Sequence, residues 1–468
     1  MSRRTSLLAA ALCCYVHFDF AQTVGAADRP NIVVIVADDL GYGDLGVHGG
    51  KDCPTPRMDS IAAGGVRCTS GYVSGPYCSP TRAGLLTGRY QTRFGHEFNP
   101  GPASFPANRS RGLDLKQTTL ADRLQTAGYA TGMVGKWHLG STPEFHPQRR
   151  GFQEFFGFLD GARSYYPAKG KDLDPVLRGT TPAGETAYLT EALGREAAAF
   201  VDRHRAAPFF LYLTFNAVHT PLEATDKYLA RFPNVADPKR RAYCAMLSAM
   251  DDAVGVLLDE LAADGLTENT LIFFISDNGG PTSVNGSNNG LLRGNKTTVW
   301  EGGIRVPFFV QWPARLPRDK TYDEPVIQLD ILPTALAAAG KPIAAGDGLD
   351  GVDLTPFLAG TQTGSPHAAL FWRFGLHRAA RIGDWKLTRS PLDGTGRGSR
   401  NDTEIPTGLY NLREDVGEQH DLAAQHPEKL RELQAAWDAW DRQNVPASWN
   451  WIEQFNPRGG KVKSVDAK

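Results

Sequence analysis

The sequence has almost no excess of charge of either sign, with 50 Lys plus Arg against 51 Asp plus Glu and a formal net charge of -1. A net charge so close to zero gives no electrostatic indication of nucleic-acid binding, and we predict no nucleic-acid partner. It also contains no internal repeat and no apolar run long enough to span a membrane. Recognition must therefore depend on local groups of residues.

One short apolar run, residues 7–16, follows two arginines and precedes a series of small residues that ends at Ala27. The run is too short to cross a bilayer, and this order is typical of a cleaved signal peptide. We therefore predict that residues 1–27 are a signal peptide. The protein would then be exported to the periplasm, to the exterior or to a lysosome-like compartment, depending on the host.

Cysteine is scarce, with 6 in the whole chain, two of them inside the predicted signal peptide. The remaining four are Cys53, Cys68, Cys78 and Cys244. They are too few for a disulfide scaffold in a protein of this length. We expect at most one bridge, with Cys53–Cys68 as the candidate pair. At least one thiol therefore remains for chemistry.

Several runs rich in β-branched and aromatic residues each stop at a polar cluster. The first, Asn31–Ala37, is typical of a strand buried on both faces of a parallel sheet, and it ends at Asp38-Asp39. The other runs are residues 131–134 before Lys136 and His138, 209–215 before Asn216 and His219, and 271–276 before Asp277 and Asn278.

Helical segments lie between these runs, at residues 120–127, 187–205 and 242–263. Strands joined through helices predict an α/β fold with a large, mostly parallel sheet flanked by helices. The carboxyl ends of such strands form the ligand-binding edge of the sheet. The strand pattern alone therefore predicts that the polar clusters meet at one edge.

The C-terminal part has a different pattern. Residues 359–366 are small and polar, which indicates a linker, and short strand-like runs follow at 369–374, 385–388 and 409–412. Pro427 then begins a helix with Leu430, Leu433, Trp437 and Trp440 on one face. We predict a catalytic domain at 28–362, a small antiparallel sheet with one helix at 363–457, and a disordered tail at 458–468.

Two pairs of polar residues suggest a metal site. Alone, Asp38-Asp39 could be a helix cap or a turn, and Asn278 with the glycine after it could be a hairpin turn. At the ends of strands, however, Asp38, Asp39, Asp277 and Asn278 form an oxygen-only set. Such a set suits Ca²⁺ or, less well, Mg²⁺.

The sharpest local feature is Cys78-Ser-Pro-Thr-Arg82. Pro80 suits the first turn of a helix and Gly88 suits its end, which would place Cys78 at the helix N-terminus. Unpaired N–H groups and the helix dipole favour an anion there, and Arg82 could reach back toward it. The alternative is an ordinary buried or bridged cysteine near a helix start.

This segment, continued by Ala-Gly-Leu-Leu-Thr-Gly-Arg89, resembles the signature of the type I, formylglycine-dependent sulfatases of the alkaline phosphatase superfamily. The family's usual Ser between Pro and Arg is Thr81 here, which keeps the hydroxyl. The resemblance runs from residue 29 to residue 423. Its other motifs are residues 37–44, 135–140, 216–221, 276–280, and 294–296 with 300–307.

The resemblance implies an alkaline-phosphatase-like fold and an arylsulfatase-like enzyme, in which a maturation enzyme converts Cys78 to formylglycine (3-oxoalanine). It implies that calcium binds to an oxygen of residue 78 and to the four polar residues at the strand ends. It further implies a hydrated aldehyde as nucleophile. The residues expected around the sulfate or in proton transfer are Arg82, Lys136, His138, His219 and Lys296.

The alcohol that carries the sulfate is not encoded in any motif, and a sulfated saccharide is our leading expectation. Loops 94–111 and 141–184 would shape its pocket, with Arg149, Arg150, Tyr165 and Tyr166 as possible sugar contacts and Ser164 as a further sulfate contact. The alternatives are a phosphonate monoester or phosphodiester hydrolase of the same superfamily, or a non-catalytic binder of sulfated glycans. The oligomeric state stays open.

Overall fold

A computed structural model describes residues 29–167, 174–184, 187–341, 343–344, 346–390 and 405–450. The predicted signal peptide (1–27) and the predicted C-terminal tail (458–468) lie outside the described residues. Within those ranges, every helix is either too short or too polar to pass through a lipid bilayer.

The described part of the chain contains strands and helices that we number in chain order. The strands are β1 Asn31–Ala37, β2 Val66–Cys68, β3 Gly71–Tyr72, β4 Ala130–Lys136, β5 Glu154–Phe158, β6 Leu177–Arg178, β7 Thr181–Pro182, β8 Phe209–Thr214, β9 Thr270–Ser276, β10 Phe308–Gln311, β11 Lys320–Tyr322, β12 Val326–Ile327, β13 Leu370–Phe374, β14 His377–Ile382, β15 Trp385–Arg389 and β16 Thr407–Asn411. The helices are α1 Pro56–Ala63, α2 Cys78–Thr87, α3 Leu120–Thr126, α4 Leu189–His204, α5 Asp226–Leu229, α6 Pro238–Ala263, α7 Thr282–Asn285, α8 Glu301–Ile304, α9 Ile331–Ala338, α10 Thr355–Leu358 and α11 Pro427–Asp441. Short 3-10 helices cover Tyr42–Asp44, Gly46–His48, Gln91–Phe94, Pro106–Asn108, Pro143–Phe145, Pro147–Arg149 and Gln328–Asp330.

The main sheet has ten strands in the order β11-β2-β10-β9-β1-β8-β4-β5-β6-β7. Its centre is parallel, since β1 pairs in parallel with β8 and β9, and β4 pairs in parallel with β8 and β5. Antiparallel partners extend it on both sides, through β10 on one and β6 and β7 on the other. The predicted α/β fold is confirmed, and the sheet as a whole is mixed.

Helices cover both faces of this sheet. The central strand β1 has apolar side chains on both sides, and every one of its residues is buried. On one face, α1, α4 and α6 contribute side chains such as Met58, Phe200 and Met246 to a large core. On the other face, α2, α3 and α9 contribute side chains such as Leu85 and Leu124 to a second core.

A second, four-stranded antiparallel sheet is formed by β13 to β16 in chain order. Helix α11 packs on it through Leu433 and Trp437, as its apolar spacing predicts. Strand β14 was missing from our prediction, because its sequence HRAARI lacks the β-branched pattern that marks the other strands. The expected small sheet with one helix is otherwise confirmed.

A largely buried ionic network links the small sheet to α8 and β3. The ammonium group of Lys386 lies 2.8 Å from Glu301 Oε1 and 3.0 Å from Glu418 Oε1. The Tyr72 hydroxyl donates to Glu301 Oε2 at 2.7 Å, and Arg305 lies 3.3 Å from the same oxygen. Glu418 also accepts the backbone N–H of Glu301 at 2.7 Å, so the segment after β16 fixes the start of α8.

The disulfide differs from our expectation. Cys53 is bonded to Cys244, across a sequence separation of 191 residues, and links the loop before α1 to helix α6. Cys68 is a free, buried thiol in β2, so the Cys53–Cys68 bridge is wrong. The physical reason is that Cys68 lies on the opposite face of the sheet, in the core built by α2 and α9, whereas Cys53 and Cys244 share the α6 side.

Candidate functional site

The carboxyl ends of β1 and β9 bring two acidic segments together. Since β1 and β9 are parallel and in register up to Ala37 and Ser276, the residues that follow them are neighbours. The backbone N–H of Asp39 donates to Asp277 Oδ1 at 3.3 Å. Asp39 itself has a φ of 63°, a conformation that costs free energy for a residue other than glycine and is frequent at functional sites.

Cys78 is the first residue of α2, as its motif predicts, and Gly88 ends the helix with a φ of 64°. The thiol is buried, and its Sγ lies 3.5 Å from Asp38 Oδ1. The hydroxyl of Thr81 donates to the carbonyl oxygen of Gly75 at 2.7 Å and so fixes the loop before Cys78.

Each carboxylate of the cluster has a cationic partner. Lys136 Nζ donates to Asp38 Oδ2 at 2.5 Å, and Lys296 Nζ donates to Asp39 at 2.7 Å and 2.9 Å. Arg82 donates to Asp277 Oδ2 through Nε at 3.1 Å and Nη2 at 2.8 Å. Arg82 therefore braces Asp277 rather than reaching back toward residue 78. All three cations were expected at the sulfate position, and the structure brings all three to the cluster.

The donor set fits the divalent cation that the family resemblance implies. Ligand atoms of Asp38, Asp39, Cys78 and Asp277 all lie within 4.8 Å of one another, and all four residues are buried. Asn278 Nδ2 donates to Asp39 Oδ1 at 2.7 Å, whereas its Oδ1 is buried without a hydrogen-bond partner in the described structure. Buried carboxylate and amide oxygens in this arrangement are ligands for a hard cation such as calcium.

Both predicted histidines lie at the same edge. His219 Nε2 is 3.6 Å from Asp39 Oδ2, while its Nδ1 is 2.6 Å from the carbonyl oxygen of Thr220. A carbonyl oxygen can only accept, so Nδ1 carries a hydrogen and Nε2 faces the cluster. His138 has a φ of 58°. Its ring packs against Gly161, where an added Cβ would lie 2.4 Å from Nε2, so a glycine at position 161 leaves room for the imidazole.

Burial dominates the electrostatics of the site. Burial, and next Asp277, raises the pKa of the Cys78 thiol, so the unmodified side chain is a thiol and not a thiolate. Burial also acts to raise the pKa of Asp38, but Lys136 and His219 outweigh it and the pKa is lowered. Burial, followed by Lys136, lowers the pKa of His138 well below its ordinary value.

Several residues support the site that sequence reasoning did not single out. Asp44 is buried and accepts from the Tyr243 hydroxyl at 2.5 Å, from the Asn288 amide at 3.0 Å and from Gly41 at 3.2 Å. These bonds tie the loop after Asp39 to α6. Asp44 is the last residue of the family motif at 37–44, so that motif could have identified it from the sequence as a residue that supports the site.

Some expected substrate contacts have structural partners instead. The Arg150 guanidinium is buried and donates to the carbonyl oxygens of Leu113 and Gln117, so it holds a loop. The Tyr165 hydroxyl donates to the carbonyl oxygens of Asn216 and His219, which makes it a support for His219. Arg150 and Tyr165 thus have structural roles in the folded protein, and sugar contacts by these residues or by Arg149 and Tyr166 stay predictions.

The sulfate contact expected at Ser164 also has another partner. Its hydroxyl donates to Glu223 Oε2 at 2.7 Å, and the same oxygen accepts the backbone N–H of Tyr165 at 2.8 Å. Ser164 and Glu223 therefore position the segment that carries Tyr165. Neither motif spacing nor residue type signalled Glu223 beforehand.

Comparison with known proteins adds independent observations. The Sulfatase family model matches residues 30–341. The N-acetylgalactosamine-6-sulfatase of Canis lupus familiaris is 34% identical over 386 residues, which cover 77% of this chain and 72% of that protein. Arylsulfatase A of Homo sapiens is 35% identical over 458 residues, with 88% of each protein covered. The crystal structure of Ps i-CgsB in complex with k-i-k-neocarrahexaose superposes with a TM-score of 0.82 and 34% identity, covering 92% of this chain and 98% of that one.

Proposed function

Because the chain belongs to the sulfatase family, whose members are sulfuric ester hydrolases, we propose that it cleaves a sulfate ester with oxidised residue 78 and a calcium ion. The observation that carries the proposal is the buried group of Asp38, Asp39, Cys78 and Asp277, whose ligand atoms lie within 4.8 Å. A tetrahedral anion beside this group would meet the ammonium groups of Lys136 and Lys296.

Asp38, Asp39, Asp277 and Asn278 would hold the calcium ion, together with an oxygen of modified residue 78. Bound there, the ion would supply Lewis-acid polarisation of the transferred sulfate group. Burial and Asp38 raise the pKa of Asp277, and Arg82 opposes them while it orients the carboxylate through two hydrogen bonds. The unpartnered Asn278 Oδ1 supports its place in this ligand set.

Residue 78 needs the oxidised form for the chemistry. As an aldehyde hydrate, it would supply one hydroxyl to attack sulfur while the bond between sulfur and the alcohol oxygen breaks. Loss of the proton of the second hydroxyl would then expel sulfate and restore the aldehyde. In its protonated form, His219, whose Nδ1–H donates to the Thr220 carbonyl oxygen, would give the proton on Nε2 to the departing alcohol, assisted by Lys296. His138 would withdraw the proton of the second hydroxyl.

The test compares two cysteine variants of protein co-expressed with a formylglycine-generating enzyme. Mass spectrometry of the peptide containing residue 78 should show the aldehyde in the wild type. Cys78→Ala should lose all turnover of an aryl sulfate and keep its circular dichroism spectrum. Cys68→Ala, which removes the other free buried thiol, should keep turnover. Retained hydrolysis in purified Cys78→Ala protein would refute the mechanism.

Parallel assays separate the alternatives of the same fold. A sulfatase should hydrolyse an aryl sulfate faster than an aryl phosphodiester or phosphonate monoester under the same conditions. The reverse preference would identify a phosphorus ester hydrolase. An unmodified thiol at residue 78, together with binding of sulfated glycans but no turnover, would identify a non-catalytic binder.

We propose a sulfated saccharide as the substrate. This is supported by two relatives whose names include saccharides, an N-acetylgalactosamine-6-sulfatase and a protein solved with neocarrahexaose. Sulfate release should be measured across defined sulfated oligosaccharides, with a steryl sulfate and an aryl sulfate alongside. Faster hydrolysis of the steryl sulfate than of every saccharide would contradict this assignment.

We also propose export through residues 1–27, which carry the pattern of a signal peptide. N-terminal sequencing of protein recovered outside the cytoplasm should begin close to residue 28. A mature protein that still starts with the first residues of the chain would refute this.

A further inference from the structure

Asn216 follows β8 at the carboxyl edge of the main sheet and is buried. Its backbone is well engaged, since its carbonyl oxygen accepts from the Tyr165 hydroxyl at 2.5 Å and from the His219 N–H at 2.9 Å. The side-chain amide differs, because neither Oδ1 nor Nδ2 has a hydrogen-bond partner among the residues that the structure describes. A buried amide without partners is unfavourable for folding.

The residues around Asn216 suggest why a buried side-chain amide without hydrogen bonds is retained there. The next two residues pair with a proposed metal ligand, since the Asp38 N–H donates to the Ala217 carbonyl oxygen at 2.9 Å and the Val218 N–H donates to the Asp38 carbonyl oxygen at 2.7 Å. Two other residues at this edge also have buried atoms without a hydrogen-bond partner in the described part of the chain, Asn278 at Oδ1 and His138 at Nδ1. Asn278 is assigned above to the metal and His138 to proton transfer with the substrate, so a role toward the ligand can also account for Asn216.

We propose that Asn216 is a further ligand-binding residue of this site, with Nδ2 donating a hydrogen bond to an oxygen of the sulfate group. The inference rests on the proposed function. The nearby ammonium groups are each paired with a carboxylate, Lys136 with Asp38 and Lys296 with Asp39. A neutral amide adds a donor for a tetrahedral oxyanion without bringing another counter-charge.

The proposal makes opposite predictions for activity and stability in Asn216→Ala. The kcat/KM for 4-nitrophenyl sulfate should fall about tenfold or more, as expected for the loss of one hydrogen bond to a charged group. The inhibition constant of inorganic sulfate should rise by a similar factor. The midpoint of thermal unfolding should stay unchanged or rise, because the substitution removes no hydrogen bond of the folded protein.

Two further variants sharpen the test. Asn216→Asp keeps the shape of the side chain but replaces the donor with a negative charge, and it should weaken sulfate inhibition more than Asn216→Ala does. Tyr129→Phe is the control. The Tyr129 hydroxyl is also buried without a hydrogen-bond partner among the described residues, but Tyr129 precedes β4 and so lies at the end of that strand opposite the site. This control should leave kcat/KM and the sulfate inhibition constant unchanged.

The outcomes that overturn the inference are distinct. Unchanged kcat/KM and unchanged sulfate inhibition in Asn216→Ala would exclude a ligand contact. A lower unfolding midpoint with an unchanged sulfate inhibition constant would show a purely structural role. If wild-type protein carrying the aldehyde fails to hydrolyse aryl sulfate, the proposed function fails instead. Binding of inorganic sulfate, followed by calorimetry, would then still decide the role of Asn216.

Discussion

Replacing Lys386 with Met should strongly destabilise the protein, because it removes the cation shared by two buried carboxylates. Glu301 would keep Arg305 at 3.3 Å, and Glu418 would keep the Thr388 hydroxyl at 3.0 Å, but the ammonium group between them would be lost. Breaking a buried ion pair on one side costs about 3–5 kcal/mol. An uncompensated charge buried between the small sheet and α8 is the physical reason.

The pKa of Glu301 gives a second measure of this magnitude. Burial acts to raise it, but Lys386, Arg305 and Arg381 outweigh burial and lower the pKa from 4.5 to about 2. At about 1.4 kcal/mol per pKa unit, these interactions contribute on the order of 3 kcal/mol. Burial and then Glu301 raise the pKa of Glu418 despite Lys386, which offsets part of this contribution. We therefore expect Lys386→Met to lower the free energy of unfolding by about 3 kcal/mol, near the lower end of the range for a broken buried ion pair.

The sign of the pH dependence follows from the lowered pKa of Glu301. Its contribution is present above the unfolded-state value of 4.5 and is lost as the pH falls toward 2. The stability difference between wild type and Lys386→Met should therefore be largest near neutral pH and should shrink in acid. Adding Glu418→Gln to the variant should recover part of the loss, because it replaces a stranded carboxylate with a neutral amide.

Urea unfolding, followed by both tryptophan fluorescence and circular dichroism, measures these free energies where the two transitions coincide. Lys429→Met is the matched control, since Lys429 pairs with Glu432 on the surface of α11 with 33% and 49% of the side chains exposed. This control should change stability by less than about 1 kcal/mol. A Lys386→Met protein as stable as the control would refute the reasoning.

Three further predictions concern other parts of the molecule. Asp38→Ala should lower both turnover and the calcium content measured by elemental analysis, and an unchanged content would remove Asp38 from the ligand set. Burial acts to lower the pKa of His367, but Asp330 at 2.9 Å outweighs it and raises the pKa. Its stabilisation is therefore full below the unfolded-state pKa of about 6.5 and is lost as the pH rises through the folded-state value. His367→Gln should remove this pH-dependent part of the urea unfolding free energy, and an unchanged profile would contradict it. Replacing Cys53 and Cys244 with Ser should reduce stability by about 3–5 kcal/mol, because the bond closes a long loop, and an unchanged urea midpoint would argue against that constraint.

The sequence predicts the central sheet well because its signals are local. Asn31–Ala37 is apolar throughout, so its burial on two faces and the position of Asp38 after it follow from the run alone. The α2 start at Cys78 and its end at Gly88 likewise follow from Pro80 and from the left-handed conformation that glycine accepts. The parallel arrangement then brings Asp277 to the same edge.

Side-chain partners are harder to predict, because they depend on contacts between distant parts of the chain. Cys53 pairs with Cys244 and not with the nearer Cys68, since sequence spacing does not indicate on which face of the sheet a cysteine lies. Arg150 and Tyr165 have the residue types of sugar contacts, but surrounding backbone carbonyl groups bind them. Only the folded loops reveal these acceptors.

The position of β1 between β8 and β9 has a consequence for the order in which the protein can form. Asp39 and Asp277 are hydrogen-bonded although 238 residues separate them in the sequence. The acidic cluster therefore cannot form before the chain has been synthesised as far as Asp277. During synthesis, β1 is made before its two neighbouring strands, β8 and β9, and the later of these, β9, begins at Thr270. Pairings this distant in sequence are slow to form. A nascent chain that stops short of β9 would expose one edge of its central strand, which is the stage at which aggregation competes most directly with folding.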